Sequence, residues 1–450
     1  MSYGPELISK ICDSGDTTAI KRYQIEESDF PTAAERKAFR FILDYAEANG
    51  GKAPSGAAVE AEVPEFAGHY IPNVAESFEW LAQKFKDSAA KRKFQALFGD
   101  GGEASRKFDE LPFEDFAEWL TEQTKRITMG TNVRSVGHDI KSSADEFMIE
   151  YERRKRGDSY KVYKSTFPKI NETVGGYYSS NVYVVYGKSG RGKSVITLEE
   201  AVEAAMQGAT VLVWSMEMGW FEVMVRIFVS MSARLGLTVA EIDGVDMAAG
   251  FDASELRNGR LNEKFEQAFR EFLRQMNDLL PGTIIVRAVD DEDFMRRDLH
   301  ALEADILATG ADVVVLDPFY YLDYEKNTSK TAGGDAAETS KKLRRLAGRT
   351  KTVIFAITQA DETKETKDDN GNRELKLPAR EDVKKTKQLL EDAYLLIAVD
   401  TDYLQRRGRI GLNKGRDGGE GTEFEITYIP QYGIVREVPT GEAAASYFGF

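Results

Sequence analysis

Residues 187–194 read Gly187-Lys188-Ser189-Gly190-Arg191-Gly192-Lys193-Ser194, which fits the phosphate-loop pattern G-x-x-x-x-G-K-[ST] at every fixed position. Upstream, Val182-Tyr183-Val184-Val185-Tyr186 is a buried-strand run, and downstream, Val195 to Met206 reads as a helix. A strand, a glycine turn and a helix start aim consecutive backbone N–H groups at one spot, beside the positive end of the helix dipole. Lys193 would reach the outer phosphates of a nucleoside triphosphate, and the Ser194 hydroxyl would ligate Mg²⁺. The glycines permit backbone angles and close approach that a Cβ would forbid. A chance glycine-rich loop would not carry both flanks. A nucleoside triphosphate and Mg²⁺ are the expected ligands, and hydrolysis is the expected reaction.

From about residue 166 strands and helices alternate. Val182–Tyr186, Thr210–Ser215, Thr283–Val289, Val313–Leu316, Thr352–Thr358 and Tyr394–Val399 are Val/Ile-rich runs between helical stretches. This predicts an α/β fold with a mainly parallel sheet covered on both faces. Arg409–Lys414 and Glu423–Pro430 alternate around the glycine-rich 415–421 and read as a C-terminal hairpin. Residues 1–125 read as a small all-α domain. There Thr32-Ala33-Ala34-Glu35 is a capping box ahead of Phe39, Ile42, Leu43 and Ala46, and Gly50-Gly51 stops the helix. Phe113, Phe116, Trp119 and Leu120 repeat the spacing. Residues 126–165 read as a linker. One apolar stripe in it, Ile140, Ala144, Phe147, Met148 and Tyr151, ends at the basic run Arg153-Arg154-Lys155-Arg156. Such a stripe must bury against its own domain or a neighbouring subunit. Residues 166–450 are the expected ATPase domain.

Composition narrows the partners. No run of about 18 apolar residues is present, so no membrane span is expected. The start, Met1-Ser2-Tyr3-Gly4-Pro5-Glu6, does not look like a signal peptide. Cys12 is the only cysteine, which excludes an intramolecular disulfide and suits a reducing cytoplasm. His69, His138 and His300 are scattered and do not suggest zinc. A net charge of -15 argues against a surface coated in nucleic acid, but not against a basic strip inside a ring or channel.

Three further strand ends carry polar groups. Glu217 follows Val211–Ser215, where a carboxylate beside the phosphate loop can orient an attacking water; read alone, it could equally be a solvated strand-end residue. Val313-Val314-Val315-Leu316-Asp317 has the form of a Walker B strand, whose carboxylate serves the Mg²⁺ shell. Gln359 closes the next strand and can sense the γ-phosphate. After it, residues 360–388 form a long charged stretch, read as a mobile loop. It ends in Lys384-Lys385-Thr386-Lys387. Lys384, Lys385 and Lys387 are candidate contacts to a nucleic-acid phosphate backbone, or a solvated charge run.

The order of these segments resembles the DnaB-like replicative helicases. The residues that carry the likeness are Phe167 to Gly176, the phosphate loop, Ser215-Met216-Glu217-Met218, Glu255-Leu256-Arg257-Asn258-Gly259, Asp317, Thr358-Gln359, Glu391-Asp392-Ala393 and Lys414-Gly415-Arg416. The resemblance implies a RecA-like core, a homo-hexameric ring around single-stranded DNA, 5′-to-3′ translocation driven by ATP, and unwinding. It implies a primase and a loader as partners. It assigns phosphate binding to Lys193, Mg²⁺ to Ser194 and Asp317, and catalysis to Glu217. Gln359 becomes the sensor. Lys414 and Arg416 become groups entering the neighbour's site, and the loop ending at Lys387 the DNA-binding loop. Two departures stand out: Pro318-Phe319-Tyr320-Tyr321 follows the Walker B aspartate, and the DNA loop lacks the Leu-Arg-Glu-Ser-Gly-like string. They suit a phage or mobile-element member acting in its host's cytoplasm. Two alternatives use the same core: a filament-forming recombinase, and an ATPase scaffold without DNA binding.

Overall fold

The computed structural model describes residues 3–99, 101–131, 140, 143–157, 159–242, 244–325, 333–362, 367, 371–383 and 386–438. The chain divides into two compact units, Met1–Asp145 and Glu146–Phe450. That division falls inside the stretch read as a linker.

In the first unit every named element is helical. Its Ala33–Ala48 helix is capped as the sequence predicts: the Glu35 N–H donates to Thr32 Oγ1 at 3.2 Å, and the Thr32 N–H donates to Glu35 Oε2 at 3.0 Å. Phe39 and Ile42 pack with Phe30, Phe66 and Phe85 in one core. Leu43 does not join them and is exposed. The buried arc runs through Phe39, Ile42 and Ala46, and Leu43 lies past its edge.

The Ala144–Lys155 helix buries none of its described residues. Its stripe, with Phe147, Met148 and Tyr151, is therefore exposed, as is Ile140 ahead of it.

The second unit carries strands β1 (Val162–Tyr163), β2 (Tyr177–Tyr178), β3 (Asn181–Gly187), β4 (Thr210–Ser215), β5 (Thr238–Ile242), β6 (Val245–Ala249), β7 (Thr283–Ala288), β8 (Val313–Asp317), β9 (Val353–Gln359), β10 (Leu395–Asp402), β11 (Arg407–Gly415), β12 (Thr422–Ile429) and β13 (Ile434–Glu437). Nine of them form one sheet in the order β13-β12-β11-β10-β3-β9-β8-β4-β7. Neighbours from β10 to β7 are parallel, and those from β10 to β13 are antiparallel. Side chains of β3 alternate between two cores: Tyr183 and Val185 on one face, Val182, Val184 and Tyr186 on the other. Burial of both faces is why the strand reads as an unbroken apolar run.

The chain leaves β3 for β4, two strands beyond its neighbour β9, and returns to β3's other side as β10. An open α/β sheet leaves its ligand crevice at the carboxyl ends of strands where the order switches in this way. Register then sets the site. Gly187 lies opposite Gln359, and Ser215 opposite Asp317, so these strand ends share one edge of the sheet. Among the described residues no helix is long and apolar enough to cross a membrane.

Candidate active site

The phosphate loop closes between the end of β3 and the Lys193–Met206 helix. Gly190 and Gly192 both hold positive φ, +65° and +84°. A Cβ at Gly187 would sit 2.5 Å from the Val399 carbonyl oxygen, and one at Gly192 would sit 2.8 Å from Thr401 Oγ1. Glycine is required at both by close approach of β10. Lys193 Nζ donates to the Lys188 carbonyl at 2.7 Å. Burial lowers the Lys193 pKa, and the charges of Asp317, Glu217 and Glu362 oppose that shift.

Asp317 is buried at the end of β8, and its carbonyl accepts from the Met216 N–H at 2.8 Å. That bond ties the Walker B strand to the start of the Met216-Glu217-Met218 turn. Burial raises the Asp317 pKa; the Ser194 hydroxyl, donating to its carboxylate, works against the rise, while the Glu217 charge adds to it. Glu217 itself is exposed. The structure thus gathers Lys193, Ser194, Glu217, Asp317 and Gln359 at one sheet edge.

Sequence reasoning missed Tyr320. Its hydroxyl donates to Gln359 Oε1 at 3.4 Å. Burial, followed by the Glu217 charge, pushes the phenol up to about 12. The only signal in the sequence was the aromatic run after Asp317.

These residues fit a nucleoside triphosphate with Mg²⁺. The glycines leave a cradle that side chains would fill, at a helix N-terminus suited to anions. The Ser194 hydroxyl and the Asp317 carboxylate are paired hard oxygen donors. Mg²⁺ favours one or two protein oxygens plus substrate phosphates over a dedicated protein cage. No group of three or more His, Cys, Asp or Glu suited to a metal occurs among the described residues. Along the same helix lies a cavity of about 550 Å³, bordered by Val195, Leu198, Arg226, Arg257, Tyr403 and Tyr428.

The remaining expected residues lie elsewhere. Lys384 and Lys385 fall outside the described residues. Lys387 is exposed at the start of the Lys387–Asp392 helix. It follows Thr386, whose buried hydroxyl shares a 2.7 Å hydrogen bond with that of Thr358, so Lys387 sits near the Gln359 end of β9. The loop read as mobile is pinned across its described part. Asn413 Nδ2 donates to the Pro378 carbonyl at 3.3 Å, the Asp361 N–H donates to the Asp382 carbonyl at 2.8 Å, and Leu375 and Val383 are buried. One of its charges, Arg373, is paired with Asp400 and Asp402, distant in sequence, which a charge count does not reveal.

Arg416 lies toward the other edge of the sheet, and Lys414 is level with the middle of β3. β11 runs antiparallel to β10, pairing Lys414 with Leu396, which pairs with Val184. The Arg416 N–H donates to the Tyr394 carbonyl at 3.1 Å, and the Tyr394 N–H to the Val182 carbonyl at 2.8 Å. Val182 is ~16 Å behind Gly187 at about 3.3 Å per strand residue. Lys414 Nζ donates to the Leu390 and Glu391 carbonyls of its own chain, at 3.1 and 2.6 Å. Arg416 is exposed.

Residues 163–435 match the DnaB-like helicase C-terminal domain. The chain belongs to the DnaB-like helicase family. Among solved structures, a DnaB-like replicative helicase described with its interactions with primase aligns at a TM-score of 0.66 and 14% identity, covering 98% of this chain and 100% of that one. A second solved structure, described as an ATPase domain, aligns at a TM-score of 0.51 and 16% identity, covering 67% of this chain and 100% of that one. At these identities the likeness is one of fold, and that fold is RecA-like α/β preceded by helices. No curated protein sequence matches the chain.

Proposed function

We propose that this chain is an ATP-driven replicative DNA helicase, a homo-hexameric ring that moves 5′ to 3′ on single-stranded DNA and unwinds duplex. One observation carries the reading. The parallel register sets the phosphate loop, Asp317 and Gln359 on one sheet edge, with Glu217 following β4 there. Backbone N–H groups at the helix start hold the phosphates, and Lys193 adds a point charge. Glu217 takes the proton of an attacking water, being exposed yet close enough to act on Lys193 and Asp317. Gln359 reads the γ-phosphate and reports to the loop that begins beside it. Mg²⁺, when bound by Ser194 and Asp317, neutralises charge on the phosphates. The cavity flanking the helix has room for the nucleoside. Arg416 serves the neighbouring subunit. A primase partner is proposed from the related helicase described with one, and a loader from the need to open a ring around DNA.

Strand displacement on forked DNA is the direct test. The chain should release the paired strand with ATP and not without it. An ATPase that leaves the fork intact would overturn the helicase assignment.

Replacing Lys384, Lys385 and Lys387 by alanine should weaken single-strand binding and flatten its salt dependence. Each lost phosphate contact lowers the log–log slope by about 0.7. A slope equal to wild type would assign these lysines to solvent.

A further inference from the structure

The phosphate loop and the loop after Gln359 meet on the same three residues. The end of β10, Asp400-Thr401-Asp402, lies between them. On one side it packs against the phosphate loop: Thr401 crowds Gly192, and Asp400 Oδ1 lies 3.9 Å from Arg191 Nε. On the other side stands Arg373. Its Nη1 donates to Asp400 Oδ2 at 2.8 Å, its Nε to Asp402 Oδ2 at 3.0 Å and its Nη2 to the Thr401 carbonyl at 2.7 Å. The Lys376 N–H also donates to Asp400 Oδ2 at 2.8 Å, and Gln405 Nε2 holds the Arg373 carbonyl at 2.7 Å. Arg373 and Asp400 are both largely withdrawn from water, at 11% and 3% exposure. Removed from solvent, such charge-assisted bonds are not screened as surface pairs are.

We propose that Arg373 is a positioning residue that couples nucleotide occupancy to the DNA-binding loop. The inference rests on the reading of the chain as a DNA-dependent ATPase. Asp400 faces two arginines. A triphosphate in the loop competes with Asp400 for Arg191, because both present anionic oxygens. As Arg191 turns to the phosphates, Asp400 is held by Arg373 and the Lys376 N–H. The segment 373–383 leads directly to Lys384, Lys385 and Lys387. A change at Asp400 therefore reaches the loop through one guanidinium. Lysine cannot replace it, since a single ammonium cannot form the planar fork that spans two carboxylates and a carbonyl.

The test compares affinity for a fluorescein-labelled oligothymidine, by anisotropy, with a non-hydrolysable ATP analogue and with ADP. The ratio of the two affinities measures coupling, and uniform damage to the DNA site cancels from it. Wild type should give a ratio of roughly 5 to 150, the usual range of such coupling. Arg373→Lys should bring the ratio close to one while the chain still binds a fluorescent ATP analogue. Gln405→Ala keeps Arg373 and both carboxylates in place; it frees the Arg373 main chain and removes the Gln405 amide from the Asp402 carboxylate. It guards against a folding defect in the lysine variant and should lower the ratio in the same direction. Arg409→Lys, altering the exposed pair with Glu425, should not change it. A folded Arg373→Lys or Gln405→Ala chain with the full wild-type ratio overturns the coupling role and leaves the helicase reading standing. A wild-type chain that binds no single-stranded DNA, or binds it equally in both nucleotide states, overturns the reading and the coupling together.

Discussion

Lys193→Ala is expected to yield a folded chain with no measurable ATP turnover. Lys193 is the first residue of the helix that follows the phosphate loop, and alanine is the best helix former, so the helix should persist. The ammonium is what disappears. It is held at the Lys188 carbonyl, half-buried, and felt by both Asp317 and Glu217. Without it those carboxylates face the incoming phosphates with less positive charge between them. Removing one neutral donor from a transition-state site typically costs about 10² to 10³ in rate. A full charge on the transferring phosphoryl group should cost more, which places turnover below detection. Phosphate release at saturating ATP, beside a thermal melt, makes the measurement. Wild-type turnover in a folded variant would remove Lys193 from the site.

Legibility in the sequence followed the range of the interaction. The phosphate loop depends on residues adjacent in the chain, so Gly187 to Ser194 was readable outright. β3, β4, β8 and β9 were readable because burial on both faces leaves an unbroken apolar run. β5 and β6 were not. In β5 buried and exposed residues merely alternate over a short span, and β6 is exposed along most of its length. β13 was too short to stand out, and it is fixed by pairing with β12. Register was equally hidden. That Gly187 faces Gln359, and that Lys414 lies level with Val184, follow only once the strands are ordered. Arg373 shows the same limit. It read as one charge among many in a polar loop, yet its partners Asp400 and Asp402 lie on a strand beyond the next helix.

Arg416→Ala should bind ATP and assemble, yet hydrolyse it poorly. Spacing in the sequence leaves open whose site Arg416 serves. The fold argues for a neighbour's. Arg416 is exposed at the sheet edge opposite the phosphate loop, and its main chain is fixed there by Tyr394. An extended arginine side chain, at about 7 Å, does not span the ~16 Å of strand back to Gly187. An arginine supplied to the γ-phosphoryl transition state is worth roughly 10³ to 10⁵ in rate, since its fork neutralises developing charge. Lys414 is bonded to carbonyls of its own chain, so alanine there should cost less than at Arg416. Mixing decides the geometry. Glu217→Gln keeps the shape of the strand end but loses the base, which should cost about 10² to 10⁴. An Arg416→Ala subunit still carries Glu217, and a Glu217→Gln subunit still carries Arg416. If the arginine acts across the interface, a mixed ring contains some interfaces with both groups intact. Two inactive preparations should then regain part of the wild-type ATPase when co-assembled. If Arg416 served its own subunit, every site in the mixture would lack one group. A mixture that stays inactive, with co-assembly verified by native mass spectrometry, would reject the shared site and remove the main reason for a ring.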